Sequence, residues 1–313
     1  MELSIVTTLY QSAPYVKDFH ERATIAAESI TEDFEIVFVN DGSPDESLAA
    51  ALERHAEDDR VRVVDFSRNF GHHKAIMTGL DYANGKTVFL IDSDLEEPPE
   101  LLDTFWDKMR ATECDVVYGV QRTRKGSWFE RAAGAIFYAV FNLLSPEPIP
   151  RNLITARLMT RPYVDALLQH REREICIAGL WAATGFQQEP VVVDKGHKGQ
   201  SVYDLRRKFT NLVNAITSFS NRPLVFIFYL GSMISIGATL AAAYLIIYRL
   251  FIGPLKDGWP SLMVSIWLLG GLTIFSLGVI GIYLSKIFTE TKQRPYTIVR
   301  QVYERNGNGR SLS

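Results

Sequence analysis

The amino-acid sequence predicts an α/β domain with a mostly parallel β-sheet, followed by a C-terminal hairpin of two membrane-spanning helices. Short β-branched runs alternate with helical patterns over residues 1–120, and polar residues follow four of the predicted strands. Two long apolar runs lie near the C-terminus. The alternation is typical of right-handed βαβ units, which build parallel sheets.

The predicted elements follow one another in a regular order. Candidate strands are Leu3–Leu9, Glu35–Asn40, Val61–Phe66, Thr87–Ile91 and Asp115–Val120, and candidate helices lie near 14–30, 45–58, 71–83 and 99–110. Open sheets of this kind bind ligands beyond the carboxyl ends of their strands. We therefore expect the chemistry in the polar residues that follow the strands.

The two apolar runs predict membrane helices. Leu224–Leu250 carries no charge until Arg249, and Ser261–Ser285 carries none. At a rise of about 1.5 Å per residue, each can cross a hydrocarbon core of about 30 Å. The outer flanks are basic, and the positive-inside rule then places both ends in the cytoplasm; these flanking residues are Arg222, Lys286, Lys292 and Arg294.

The sequence thus predicts a multi-pass protein of the inner, cytoplasmic membrane. We expect a cytoplasmic catalytic domain at 1–202, a juxtamembrane amphipathic helix at 203–222, two membrane helices within 223–288 and a cytoplasmic tail at 289–313. Met1 leads into the first strand without the basic flank and cleavage site of a signal peptide, which agrees with a cytoplasmic first domain.

Composition argues against several other classes. The net charge is −3 and no basic tract is long enough to suggest nucleic-acid binding. The two cysteines, Cys114 and Cys176, have no His or Cys at ligand spacing nearby. Neither a structural zinc site nor a disulfide is expected.

Asp92-Ser93-Asp94 is the strongest chemical signal. It follows the apolar strand Val88–Ile91, at an edge where ligands bind. Two carboxylates at this spacing can bind one Mg²⁺ or Mn²⁺, which in turn can hold a diphosphate. Such an ion neutralises the charge that develops on a leaving diphosphate. The same three letters in a solvated loop would mean little, and the position after a strand is what favours a metal site.

Asp41-Gly42-Ser43 follows the second strand and allows two readings. Asp41 can accept a hydrogen bond from a nucleobase N–H, for example the imide of uracil. Alternatively the segment is an ordinary strand-to-helix connection, with Ser43 or Asp45 capping the next helix. The residues alone do not decide between them.

Three segments, Val39–Ser47, Arg68–Ala75 and Asp92–Pro99, resemble family 2 inverting glycosyltransferases, and specifically their polyprenyl-phosphate branch. The C-terminal hairpin and Gly199–Tyr203 also resemble that branch. It includes dolichol-phosphate mannose synthases, undecaprenyl-phosphate glucosyltransferases and aminoarabinose-lipid transferases. The resemblance covers nearly the whole chain and is specific for the branch, not for the sugar.

The resemblance implies an A-type glycosyltransferase fold, which is Rossmann-like with a mostly parallel sheet. It implies transfer of a sugar, with inversion, from a nucleotide diphosphate to polyprenyl (undecaprenyl) phosphate, for cell-envelope glycan synthesis. UDP is the default nucleotide and Mg²⁺ or Mn²⁺ the expected cofactor. The implied partners are the nucleotide sugar, the lipid phosphate and the bilayer, with no nucleic acid, and a homo-oligomer is left open.

The resemblance also assigns roles by position. The nucleotide-sugar site comprises Thr8, Tyr10, Ser12, Asp41, Lys74, Asp92 and Ser93. The metal ligands are Asp92, Asp94 and Glu96, and the catalytic residues are Asp92, Asp94, Thr155 and Arg157. A phosphate acceptor, by contrast, needs cations that position it against an anionic donor, and on that ground the acceptor phosphate is assigned to Arg122, Arg124, Lys195, Lys198 and Arg206, with Ser201 and Tyr203 from the segment that resembles the branch.

The chain departs from the family pattern at several of these positions. Where the family has Pro, Asn and Glu after the first strand, this chain has Thr8, Gln11 and Ser12. Four further substitutions are Glu96 for Gln, Gln121 for Arg, Thr155 for Asp and Val202 for Lys.

Two other functions stay open on the sequence. A processive polysaccharide synthase would share the fold, but it would need more membrane helices and a Gln-x-x-Arg-Trp motif, which the sequence lacks. A non-catalytic sugar-nucleotide-binding scaffold is suggested by the substitutions at Thr8, Ser12, Gln121 and Thr155. The intact Asp92 and Asp94 pair argues against the scaffold.

Overall fold

The computed structural model describes residues 1–121, 150, 152–173, 175–193, 222–251 and 258–304, which form eight strands and eight helices. The chain divides into two compact units. The first consists of the described parts of Met1–Tyr138, Ile149–Tyr203 and Arg294–Ser313, and the second of the described residues between Asp204 and Gln293.

The N-terminal half of the first unit alternates strands and helices as predicted. The strands are β1 (Leu3–Leu9), β2 (Phe34–Asn40), β3 (Val61–Phe66), β4 (Thr87–Leu90) and β5 (Val116–Gln121). The helices between them are α1 (Val16–Glu28), α2 (Ser47–Glu57), α3 (His72–Tyr82) and α4 (Leu101–Thr112). The predicted α/β fold is confirmed, and each predicted element of this half differs from the observed one by two residues or fewer at its ends.

Five further elements complete this unit. They are β6 (Leu153–Thr160), α5 (Arg161–Leu167), α6 (Ile177–Ala183), β7 (Gln188–Val193) and β8 (Val299–Tyr303). The sequence did not predict them. The sheet partners of β6, β7 and β8 lie far away along the chain, so no local turn signal marks these three strands.

The eight strands form one sheet in the order β7-β5-β6-β4-β1-β2-β3-β8. Four of the seven pairings are parallel, namely β1–β2, β1–β4, β2–β3 and β5–β7. Strand β6 lies antiparallel between β4 and β5, and β8 lies antiparallel along the outer edge of β3. The sheet is therefore mostly parallel, as predicted, with two antiparallel insertions.

Helices cover both faces of the central strands. Residues of β1 and β2 are almost all buried, as expected for parallel strands packed on two sides. On one face Phe19 of α1 packs edge-on against Phe38, with ring centroids 5.9 Å apart. On the other face α3 lies close, because a Cβ at Gly79 would meet side-chain atoms of Val6 and Val39 at 2.6 and 2.8 Å. This packing fixes the carboxyl ends of β1 to β4 along one rim.

The C-terminal tail differs from the sequence-based division. We assigned 289–313 to a tail outside the catalytic domain, whereas β8 within it is a strand of the catalytic sheet. The physical reason is the edge of β3, whose backbone groups would otherwise lack strand partners on that side. The first unit is thus built from two separated parts of the chain.

The second unit contains two long helices, α7 (Arg222–Phe251, 30 residues) and α8 (Trp259–Thr291, 33 residues). Among the described residues, one segment, Ser265–Thr291, is long and apolar enough to cross a membrane. Its large apolar side chains are exposed, Trp267 by 75% and Ile274 by 73%. The second predicted span, 224–250, lies within α7 and stays a prediction. Most of the predicted amphipathic helix, 203–221, lies outside the described residues.

Candidate active site

A histidine at the start of α3 connects the carboxyl ends of β1 and β4. Nδ1 of His72 lies 3.1 Å from Oγ1 of Thr8, within hydrogen-bond distance. Nε2 of the same ring lies 3.5 Å from Oδ1 of Asp92. Burial lowers the pKa of His72, although the carboxylates of Asp41, Glu97 and Asp94 oppose that shift. The neutral imidazole is therefore favoured near pH 7.

The sequence reasoning missed His72 as a site residue. Its position in the chain could have indicated a role, because His72 is the first residue of the helix that follows β3. In a parallel sheet that helix end lies at the same rim as the strand ends. Lys74, which was predicted for the nucleotide-sugar site, lies in the same first turn and is half-buried.

Ser93 and Ser12 lie inside the rim. The Ser93 hydroxyl donates to the carbonyl oxygen of Thr8 at 2.9 Å and lies 3.1 Å from Oγ of Ser12. Both serines are buried. Their hydroxyls thus join the ends of β1 and β4, and we expect any ligand contact from Ser93 to come through its backbone. Tyr10, two residues before Ser12, is 49% exposed and can offer a ring to a ligand.

Asp45 connects the loop after β1 to the start of α2. Its carboxylate accepts hydrogen bonds from the hydroxyls of Ser43 and Ser47 and from the backbone N–H of Ala13 at 3.2 Å. Desolvation opposes the shift, but these hydrogen bonds lower the pKa of Asp45 to about 2. Asp45 also accepts the N–H of Ser47 at 3.2 Å, so it holds the first residue of α2 from the position just before the N-cap residue, Glu46.

Asp41 holds the loop that follows β3. Its two carboxylate oxygens accept the backbone N–H groups of Phe70 at 2.7 Å and Gly71 at 3.0 Å. Burial raises the pKa of Asp41, against the effect of these two hydrogen bonds. The side chain is only 2% exposed. Each oxygen keeps a second lone pair, so direct base binding by Asp41 stays a prediction.

Gly42 allows this loop to approach the end of β2. Its φ of +59° lies in the left-handed region, and a Cβ there would stand 2.3 Å from the carbonyl carbon of Arg68 and 2.4 Å from the nitrogen of Asn69. Only glycine fits both constraints. The segment Ser67–Gly71, which we call the β3 loop, thus lies directly against the Asp41 turn.

The carboxylates of Asp92 and Asp94 are half-buried at this rim. Oδ1 of Asp94 accepts the backbone N–H of Glu96 at 3.1 Å, and Leu95 between them adopts a φ of +60°. Among the described residues no three His, Cys, Asp or Glu side chains form a metal cage. Mg²⁺ and similar hard cations, however, are often held by one or two carboxylates with substrate phosphates completing the shell. The donor set of Asp92 and Asp94 fits such an ion.

Glu97, three residues after Asp94, has a structural contact. Its side chain is fully buried, and Oε2 accepts the backbone N–H of Ala156 on β6 at 2.8 Å. This bond ties the loop after β4 to β6. It explains how Thr155 and Arg157, the predicted catalytic residues of β6, come to lie beside the carboxyl end of β4.

Arg157 is a buried cation next to the rim. It pairs with Leu90 across the β4–β6 ladder and is 1% exposed, with its guanidinium carbon 3.0 Å from the ring centroid of Trp181. Within the described part of the chain, none of its guanidinium nitrogens has a hydrogen-bond partner. Burial lowers the pKa of Arg157 to about 9, opposed by Tyr163, Tyr118 and Glu97. Thr155, two residues earlier on the same strand, is half-buried.

The predicted acceptor residues cannot be placed in this way. All seven lie outside the described residues, so their assignment stays a prediction. They are Arg122, Arg124, Lys195, Lys198, Ser201, Tyr203 and Arg206.

Residues 4–168 match the model of a protein family described as glycosyl transferase family 2. The chain belongs to glycosyl transferase family 2. This range runs from the second residue of β1 to beyond the end of β6 and includes every described rim residue from Thr8 to Arg157. The carboxylate pair, the β3 loop and Arg157 are therefore features of a glycosyltransferase domain, and the protein is an enzyme of that class.

Relatives of this family 2 enzyme match it over nearly their whole length. It is 55% identical over 303 residues to a protein of Mycobacterium tuberculosis (strain CDC 1551 / Oshkosh) named among glycosyltransferases, covering 97% of this chain and 89% of the relative. It is 35% identical over 307 residues to the uncharacterized glycosyltransferase YkcC of Bacillus subtilis (strain 168), covering 97% and 94%. It is 32% identical over 311 residues to the SfII prophage-derived bactoprenol glucosyl transferase of Shigella flexneri, covering 98% and 100%.

Proposed function

We propose that this family 2 glycosyltransferase transfers a sugar, with inversion, from a nucleotide diphosphate to a polyprenyl phosphate such as undecaprenyl phosphate. The product would be a lipid-linked monosaccharide for the cell envelope. One observation carries the proposal: a single chain combines a rim bearing Asp92 and Asp94 with a segment, Ser265–Thr291, that is able to cross a membrane. Full-length similarity to a bactoprenol glucosyl transferase supports the same acceptor class.

The rim suits a nucleotide diphosphate. The N-terminus of α3, with His72 and Lys74 in its first turn, places the positive end of a helix dipole at the rim. Asp92 and Asp94 would hold Mg²⁺ or Mn²⁺, which would stabilise the charge of the leaving diphosphate. Tyr10 offers an exposed ring at the same rim. UDP is the nucleotide we propose first.

The acceptor chemistry accounts for Thr155. A sugar hydroxyl must lose a proton as it attacks and needs a general base. A phosphate monoester has a second pKa of about 6 and carries a charge of about −1.5 to −2 at pH 7, so its oxygen is already a nucleophile. The carboxylate that the family places at position 155 is not required to remove a proton from such an acceptor.

What a phosphate acceptor requires is a cation that positions it against an anionic donor. Arg157 fits that role, because its buried guanidinium lies beside the end of β4 and, within the described residues, has no hydrogen-bond partner. The further cations proposed for the acceptor are Arg122, Arg124, Lys195, Lys198 and Arg206, with Ser201 and Tyr203 as polar contacts.

The membrane completes the proposal. A polyprenyl tail is too apolar to leave the bilayer, so the phosphate must be met at its surface. We propose that α7 and α8 form a hairpin across the inner membrane, with the catalytic unit in the cytoplasm. The basic residues that flank the apolar runs agree with this orientation.

A donor screen tests the function. The full-length protein in detergent would be incubated with undecaprenyl phosphate, Mn²⁺ and a panel of nucleotide sugars, and lipid products identified by mass. We expect one hexose or N-acetylhexosamine to be added to the lipid phosphate. A polymer of many sugars would instead support a processive synthase. Binding of a nucleotide sugar with no product on any lipid phosphate would support the scaffold.

A further inference from the structure

The C-terminal strand β8 reaches the β3 loop. Backbone N–H of Ser67, the first residue of that loop, donates to the carbonyl of Ile298 at 3.0 Å. Thr297 Oγ1 lies 3.0 Å from Oγ1 of Thr78 on α3. The residues that lead into β8 therefore contact both the loop and the helix that together form one side of the rim.

The pairing of β8 with β3 contains a bulge at this point. Val299 pairs with Phe66 and Gln301 with Asp65, so Arg300 is the extra residue on β8. Bulges of this kind redirect a side chain and are common next to active sites. Here the redirected side chain is a guanidinium at the end of β3, where the strand gives way to the β3 loop.

Arg300 binds two groups at the start of the loop. Nη2 donates to the carbonyl oxygen of Ser67 at 2.9 Å, and Nη1 lies 3.4 Å from Oδ2 of Asp65. Asp65 is buried, and its other oxygen accepts Nδ2–H of Asn40 at 2.8 Å. Asn40 directly precedes Asp41, whose carboxylate holds the N–H groups of Phe70 and Gly71.

These contacts form a continuous chain that holds the β3 loop at both ends. Arg300 fixes its first residue through the Ser67 carbonyl, and Asp41 fixes its last two residues. The side chain of Asp65 joins the two anchors through Asn40. The loop then leads into α3, whose N-terminus carries His72 and Lys74.

We propose that β8 is part of the nucleotide-sugar site, and that Arg300 is a positioning residue for the β3 loop and the N-terminus of α3. The inference rests on the proposed nucleotide-sugar donor. It assigns a function to a segment that follows the membrane helix in the chain and lies outside the range matching the family model. Arg300 would not touch the donor, because its effect passes through the Ser67 carbonyl and Asp65.

Three variants of the full-length protein test this role. Arg300→Ala removes both contacts, and Arg300→Lys keeps the charge but loses the two-pronged geometry of the guanidinium. Glu304→Gln is the matched control, since Glu304 anchors the opposite end of β8 through Arg62, at 3.1 Å, away from the rim. The Arg300 side chain is 59% exposed, and Glu304→Gln keeps the size and shape of a side chain that is 26% exposed, so none of the three changes is expected to prevent folding.

Two measurements distinguish an effect of Arg300 on the β3 loop from a general role in attaching β8 to the sheet. Hydrogen exchange of the amides in 67–71, without ligand, reports the loop, and calorimetry with UDP and Mn²⁺ reports the site. Arg300→Ala should speed loop exchange and weaken UDP binding about fivefold, as expected for a partly exposed ion pair and one charge-assisted hydrogen bond. For Arg300→Lys, both the exchange rate of the loop amides and the affinity for UDP should lie between those of Arg300→Ala and the unaltered protein. For Glu304→Gln, both should equal those of the unaltered protein.

Two results would overturn the inference. One is UDP binding by Arg300→Ala equal to that of the unaltered protein. The other is an equal loss of UDP affinity in Arg300→Ala and Glu304→Gln, which would mean that β8 stabilises the sheet and has no specific effect on the β3 loop. Failure of the proposed function would look different. If the nucleotide donor is wrong, the unaltered protein itself would bind no UDP in the calorimeter, and if only the transfer is wrong, it would bind UDP but give no lipid product in the donor screen.

Discussion

At the scale of single residues, the rim separates side chains that face the solvent from those that hold the backbone. Asp92, Asp94 and Tyr10 are accessible to a ligand, whereas Asp41 and Ser93 are buried and bonded to neighbouring backbone groups. A variant of the first kind should affect ligand binding or turnover, and a variant of the second kind should affect folding as well.

Asp94→Asn should remove most transferase activity without unfolding the protein. The amide oxygen of asparagine can still accept the N–H of Glu96, so the turn is kept while the charge that would hold a divalent cation is lost. We expect kcat to fall about 100-fold or more, which corresponds to about 3 kcal/mol of transition-state stabilisation. Asp107→Asn, on the exposed face of α4, is the control and should retain full activity. Full activity of Asp94→Asn, or of the unaltered enzyme in EDTA, would refute metal assistance.

Gly42→Ala should destabilise the protein and displace the β3 loop. The new Cβ would overlap the backbone of Arg68 and Asn69, in addition to the strain of a positive φ. Gly185→Ala is the matched control, because Gly185 has a φ of +73° and no atom within 4 Å of its Cβ position. Urea unfolding should give a loss of about 1–2 kcal/mol for Gly185→Ala and about 3 kcal/mol or more for Gly42→Ala. Equal losses would show that the close approach is not the constraint.

At the scale of elements, α2 and α3 are held to the strand ends by different means. The start of α2 depends on the side chain of Asp45, which collects the Ser43 and Ser47 hydroxyls and the Ala13 N–H. The start of α3 depends on backbone groups, since the N–H of Gly71 donates to Asp41. The start of α2 therefore depends on a carboxylate, that of Asp45, whose pKa is strongly lowered, and the stability of this attachment should decrease in acid.

The contribution of Asp45 to stability should be lost in acid. Its pKa is lowered in the folded protein to about 2, from 3.8, so the stabilisation is complete only above about pH 5 and is lost progressively as the pH falls through 3.8 and then through about 2. Because the group is partly exposed, we expect about 1 kcal/mol and not the full value of the shift. Thermal unfolding of Asp45→Asn and of the unaltered protein should differ at pH 6, and the difference should shrink steadily as the pH is lowered from about 5 towards 2. A difference that is independent of pH would contradict this assignment.

At the scale of the whole molecule, the sheet of the first unit contains strands that precede the two apolar helices in the chain and one strand that follows them. β1 to β7 precede α7 and α8, and β8 follows them. Because these segments share one sheet, they must lie on the same side of any membrane that the apolar helices cross. The proposed hairpin meets this requirement. The fold therefore supports an even number of crossings between Val193 and Val299.

Epitope tags test that topology in intact cells. Tags at the N-terminus and at Ser313 should be accessible only after the inner membrane is opened, and a tag within 254–258 should be accessible from the far side. The expectation follows from the basic flanks and from β8 sharing a sheet with β3. Protection of all three tags from outside would show that the apolar helices do not cross, and a far-side tag at Ser313 would exclude the hairpin.

The sequence by itself determined the first half of the catalytic unit and the place of its chemistry. Elements from β1 to β5 are encoded by local patterns of β-branched and amphipathic segments, which is why their bounds could be predicted closely. The Asp92-Ser93-Asp94 motif was also local, because parallel strands bring their carboxyl ends to one edge whatever follows them.

Only the tertiary structure decided how the later segments complete the rim. β6 enters between β4 and β5, and β8 pairs with β3 across more than 230 residues, so no short-range pattern marks either pairing. For the same reason the sequence did not show that Asp41 binds the β3 loop, that His72 lies beside Thr8 and Asp92, or that Arg300 reaches Ser67. Each of these contacts joins residues on different elements, and their distance in space is set by the packing of the whole sheet.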